Sequence, residues 1–75
     1  LIIFYKSQTK RLEIKHSSGE ALNIEIYNML GAKVFTIKNI RNAQSIYLEQ
    51  LKNRVYIVVG KVSGKTFSRK ILISE

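Results

Sequence analysis

The sequence has no cysteine, proline, tryptophan or aspartate, a single histidine, and only five acidic side chains, all glutamate, against thirteen lysines and arginines. Each shortage excludes a class of chemistry. Without Cys there is no disulfide frame, no thiol nucleophile and no Cys-bearing zinc site, and the redox compartment leaves no mark on the chain. Without Asp a Ser-His-Asp triad cannot be assembled, and a Ser-His-Glu version would need Glu and Ser to converge on His16 alone. His16 falls on the apolar parity of its strand, where a packed or rim histidine is expected. There is no second His, no Asp-rich calcium loop and no Gly-rich phosphate loop ahead of a helix, so neither metal nor cofactor is expected. Paired carboxylates would have to come from Glu13, Glu20, Glu25, Glu49 and Glu75. Glu13 and Glu25 are expected on adjacent strands, yet on the polar parity, where a solvated surface is the default. Long apolar runs are missing as well. Leu1 to Tyr5 is far short of the about 20 residues of a membrane helix, and lacks the basic lead and roughly 7–15 apolar residues of a secretory signal.

What is present is one small domain's worth of chain. Its 75 residues carry a net charge of +8, and 45% of them are apolar, which argues against disorder. Because the first residue is Leu and not Met, the chain is expected to be a piece of a longer protein. The basic surplus gathers locally at Lys6, Lys10, Arg11 and Lys15 and again at Lys61, Lys65, Arg69 and Lys70. Such a surplus attracts polyanions, including acidic glycans, lipopolysaccharide phosphates and nucleic acid. Specific nucleic-acid reading would need Tyr27, Tyr47, Tyr56 and Phe67 to face solvent together as a stacking platform; packing is the expectation for them instead.

Alternation of apolar and polar residues marks the strands. Leu12, Ile14 and His16 share one parity, as do Leu22, Ile24 and Ile26, and Ile46 and Leu48. The run 55–59 is apolar on both parities, which predicts a central strand covered on both sides. In the last run Phe67, Ile71 and Ile73 share a parity with Arg69. Ser63-Gly64 reads as a tight hairpin link and Ser17 to Glu20 as another connection. Asn28 to Gly31 reads as a four-residue turn, with Asn bonding nearby backbone and Gly taking a left-handed conformation. The segment 39–44 is expected to be a polar loop anchored by Ile40, and 50–53 a loop plugged by Leu51. Gly60 marks either a bulge or a close approach of backbone. Seven strands are predicted, near 1–5, 11–16, 22–28, 33–38, 44–48, 54–60 and 65–73. That number in this length predicts an immunoglobulin-like antiparallel β-sandwich over residues 1–75, without the Cys and Trp signature of antibody domains, or else a small open barrel.

The stretch Asn23 to Val34 resembles the central hairpin of the C-terminal sorting domains of the type IX secretion system of Bacteroidetes. Arg11-Leu12-Glu13-Ile14 resembles the strand before that hairpin. Ser45-Ile46-Tyr47-Leu48 followed by Leu51 and Val55-Tyr56-Ile57-Val58 resembles a second signature, and Gly64-Lys65-Thr66 with Arg69 to Ile73 resembles the closing strand. Two positions depart from the pattern. Members usually carry Tyr-Pro-Asn-Pro near the start, where this chain has Tyr5-Lys6-Ser7-Gln8, and Gly two residues before the second-signature Tyr, where it has Arg54. Arg54 is tolerated if the backbone there keeps a negative φ.

The resemblance implies a non-catalytic address. A cargo domain would precede residue 1, cross the periplasm, be recognised by outer-membrane components of the secretion machinery, and end at the cell surface or in the medium. A sortase-like peptidase and contact with anionic lipopolysaccharide are further implied partners. The residues expected to be read by the machinery are Gly31, Lys33, Arg69, Lys70, Ile71 and Ile73, and those expected to determine the fold are Tyr27, Asn28, Val34, Leu51, Val55 and Tyr56. An alternative of a different class is a small β-sandwich adhesion or anionic-carbohydrate-binding module; a nucleic-acid-binding β domain is a third.

Overall fold

The computed structural model describes residues 1–16, 19–52 and 54–73, and contains strands without helices among them. Seven strands run in order: β1 (Ile2–Lys6), β2 (Arg11–Lys15), β3 (Leu22–Tyr27), β4 (Lys33–Ile40), β5 (Gln44–Tyr47), β6 (Val55–Val62) and β7 (Lys65–Leu72). All pair antiparallel, in a three-stranded sheet of order β1-β2-β5 and a four-stranded sheet of order β4-β3-β6-β7. This is the immunoglobulin-like sandwich, with β4 joined to β3 in the larger sheet and not to β5. The predicted loop 39–44 is shorter than expected, because Asn39 and Ile40 still belong to β4 and Gln44 to β5.

The core follows from parity. Leu12 and Ile14 of β2 and Ile46 of β5 face Leu22, Ile24 and Ile26 of β3 and Tyr56 and Val58 of β6, all 5% exposed or less. Their burial is the main favourable term for so small a domain. Ile40 closes one end as the predicted anchor, and half-buried Leu51 packs against the cluster. His16 is buried, with Nε2 2.7 Å from the Glu20 carbonyl oxygen. Ser17 and Ser18 of the predicted connection, Asn53 of the 50–53 loop, and Ser74 and Glu75 lie outside the described residues.

Local chemistry fixes the turns. Asn28 holds the β3–β4 turn almost alone: its side-chain oxygen accepts from the Leu30 and Ala32 amides at 3.0 Å, its carbonyl accepts from the Gly31 N–H, and its own N–H donates to Ala32. Gly31 takes φ +86°, a left-handed conformation that carries no steric penalty without a Cβ. Ser63 and Gly64 both have positive φ, the hallmark of a two-residue type I′ hairpin. Arg54 is not among the positive-φ residues, so Arg in place of Gly fits without strain.

Three expectations need correction. The run 55–59 is central, as β6 lies between β3 and β7, but it is covered on one side only. Val55, Ile57 and Val59 face outward and are half-buried by their neighbours within the sheet, since a two-layer sandwich gives each sheet a single inner face. Glu13 and Glu25 are not on adjacent strands: β2 and β3 belong to opposite sheets, and the two carboxylates point to opposite sides of the molecule. Gly60 is neither a bulge nor a close approach of backbone, since what lies against it is a side-chain ring. The β3–β6 and β6–β7 registers run without a shift through it, and the Phe67 ring across the ladder lies over its Cα.

Candidate functional site

The structure divides the basic residues between faces. Lys6, Arg11 and Lys15 lie on the outward parity of the smaller sheet, where the Arg11 guanidinium stacks 5.2 Å from the Tyr47 ring centroid and Glu13 accepts a hydrogen bond from Ser45. Beside them, a hydrogen bond to the Glu49 carboxylate holds the Tyr47 phenol above its usual pKa. The Lys61 to Lys70 group lies across the molecule on the β6–β7 hairpin. The four rings considered as a stacking platform do not share a face: Tyr56 is core and donates to the Lys52 carbonyl, Phe67 covers Gly60, Tyr27 sits on the larger sheet and Tyr47 on the smaller.

Register places the expected recognition residues. On the outer face of the larger sheet one row reads Lys33, Tyr27, Ile57, Lys70, crossing β4, β3, β6 and β7. Three strand spacings separate its ends, about 14 Å. Lys33 and Lys70 therefore flank one apolar strip, with the Gly31 turn protruding beyond Lys33. Arg69 occupies the opposite parity, across from Val58, but on edge strand β7 it stays exposed. An inward-directed charge of this kind blunts an open edge against sheet-to-sheet pairing. Ile71 and Ile73 are 7% and 3% exposed and belong to the core; the Ile73 N–H also ties the end of β7 to the Arg54 carbonyl. Of the expected fold determinants, Tyr56 and Leu51 pack inward and Asn28 builds the turn. Tyr27 and Val55 lie on the outer face of the larger sheet, while Val34, unpaired at the register shift between Lys33 and Phe35, is 37% exposed.

Among the described strand residues, Glu25 is the one acid on that face. It accepts a hydrogen bond from the Tyr27 hydroxyl at 3.0 Å and ion pairs from Lys33 at 3.3 Å and Lys61 at 3.5 Å. The Tyr27 hydrogen bond first, then Lys33 and Lys61, holds its carboxyl below the ordinary value of 4.5, against the opposing effect of desolvation. A depressed folded-state pKa adds stability that is fully present above the unfolded value and lost as pH falls through the folded one. Denaturation of the wild type and Glu25→Gln should therefore differ near neutral pH and converge below the ordinary carboxylate range. Added salt should shrink the difference, because both lysines are solvent-accessible.

Sequence reasoning passed over two residues here. Leu30 and Met29, in the middle of the Asn28 turn, are 92% and 65% exposed, and Leu30 is the most exposed of the large apolar side chains. The available signal was two large apolar residues in turn positions where polar ones are usual. Among the described residues no three His, Cys, Asp or Glu side chains gather as metal ligands.

Residues 8–74 match the family model described as the secretion system C-terminal sorting domain. No curated protein matches the chain. The match begins past Tyr5 and Lys6, where the proline motif is replaced, and runs through both signatures and the closing strand. The sandwich, the Asn28 turn and the closing β7 are thus held in a chain that belongs to the secretion system C-terminal sorting domain family, a C-terminal sorting signal for type IX secretion.

Proposed function

We propose that this domain is read as a folded module by outer-membrane components of the type IX machinery, and carries a cargo domain N-terminal to residue 1 from the periplasm to the cell surface or the medium. The observation that carries this reading is the family match across residues 8–74. The surface offered to the machinery is the Gly31 turn with Lys33, together with Lys70 and Arg69 on the open edge of β7, while Ile71 and Ile73 act indirectly by locking that strand to the core. A sortase-like peptidase acts downstream by removing the domain, and anionic lipopolysaccharide meets the basic exterior at the cell surface. An address needs charge, strand edges and a stable fold, and no catalytic group. No observation favours the glycan-binding module, because the basic residues are split between opposite sheets.

Arg69→Glu combined with Lys70→Glu tests the assignment in a reporter that carries the chain at its C-terminus. Both side chains are exposed, so melting should be unchanged, while secretion should fall about tenfold or more if two charged contacts are lost. Secretion equal to wild type would remove these two residues from the recognition surface.

A further inference from the structure

We infer that the Asn28 turn is an apolar anchor, with Leu30 and Met29 entering a pocket on a protein partner whose rim is acidic. This inference rests on the sorting reading above and names the chemistry of the partner's site. Four hydrogen bonds centred on Asn28 fix the turn, so Leu30 at 92% exposure and Met29 at 65% are held out in water by a rigid frame, not by a wandering loop. Exposure of this kind gives the fold nothing, while a preorganised apolar side chain loses little entropy on docking. The turn also has neighbours. Tyr27 pairs with Ile57 in the β3–β6 ladder, so two residues further on the turn comes level with Val55, which pairs with Leu72 at 61% exposure. Val55 and Leu72 thereby extend the Tyr27–Ile57 strip on the outer sheet face toward the end of the sheet that carries the turn, and an exposed apolar patch of this sort marks an interaction site.

Charge selects the occupant. Lys33 and Lys70 bound the strip, and Glu25 on the same face is already matched by Lys33 and Lys61. A complementary surface carries carboxylates around an apolar centre. A second copy is disfavoured, since each carries +8 and a two-fold contact through this face would set the same lysines against one another. The sorting reading, which rests on the family match, implies contact with the secretion machinery and so favours a protein site over a bilayer.

The test uses a reporter fused to the chain in a host with type IX machinery, comparing wild type, Leu30→Ser, Leu30→Gln and the control Phe4→Ser. Phe4 is 41% exposed on the other sheet and lies outside the family match. Both Leu30 variants should melt like wild type, yet lower surface-delivered reporter about tenfold or more, the loss expected when one Leu is no longer buried on docking. Phe4→Ser should not lower it, and Leu30→Ile should restore it. A photoreactive phenylalanine at position 30 should form a protein adduct in exporting cells, and one at position 4 should not. Wild-type reporter held in the periplasm would overturn the sorting reading and this inference with it. Wild-type export with undiminished export of both Leu30 variants, or adduct formation equal at positions 30 and 4, would overturn this inference alone. So would binding of the wild-type fusion to phosphatidylethanolamine–phosphatidylglycerol vesicles that falls on Leu30→Ser, which would assign the turn to lipid.

Discussion

Gly60→Ala is expected to lower stability by about 2–4 kcal/mol, read from the midpoint of chemical denaturation. The reason is contact and not conformation, since Gly60 does not have a positive φ. A Cβ built there would run into the Phe67 ring. The ring would have to swing off the sheet, and half-buried Phe67 would lose its packing against the core. A domain of this size has a total stability on the order of 4–11 kcal/mol, so the loss would be a large share of it. Phe67→Ala separates this cause from a general intolerance of β6. If the ring is what the new methyl group meets, Gly60→Ala in a Phe67→Ala background should cost much less than it does alone. Additive costs would contradict the account.

Deleting residues 70–75 is expected to abolish secretion by unfolding the domain. The cut removes Ile71 and Ile73, 7% and 3% exposed, and the Ile73 bond that closes β7 onto Arg54. Two buried isoleucines contribute together on the order of 4–6 kcal/mol, comparable with the whole stability of so small a domain. The truncated chain should show no cooperative melt. Lost secretion on truncation would therefore say little about which surface is read, whereas charge reversal at positions 69 and 70 leaves Ile71 and Ile73 in place. A truncated chain that melts like wild type would contradict the placement of these two residues in the core.

The local features of the fold were legible because period-two alternation and turn chemistry are short-range. Leu22, Ile24 and Ile26 announce their buried face, and Asn28 and Gly31 announce their turn. Long-range partition was not. Alternation states which side chains share a face but not which strand lies alongside, and so Glu13 and Glu25 were expected together and are found in opposite sheets. The end of β4 escaped for a related reason. Phe35 and Ile37 keep period two and Ile40 breaks it; a bulge at Asn39, with φ +61° and its N–H donating to the Asn23 side chain, restores Ile40 to the core. In the candidate site, the parity that puts Ile71 and Ile73 with Phe67 already pointed inward, although both were expected among the residues that are read. Leu30 was hidden in the opposite way: apolar residues are assumed to pack, and its place inside the Asn28 turn was the one signal that this residue does not.

The central claim, that this fold is an address, is tested most directly by attaching residues 1–75 to the C-terminus of a periplasmic reporter in a host with and without a working type IX system. The account predicts reporter at the cell surface or in the medium only when both the domain and the machinery are present. A correctly folded domain whose reporter stays in the periplasm of the competent host would contradict it.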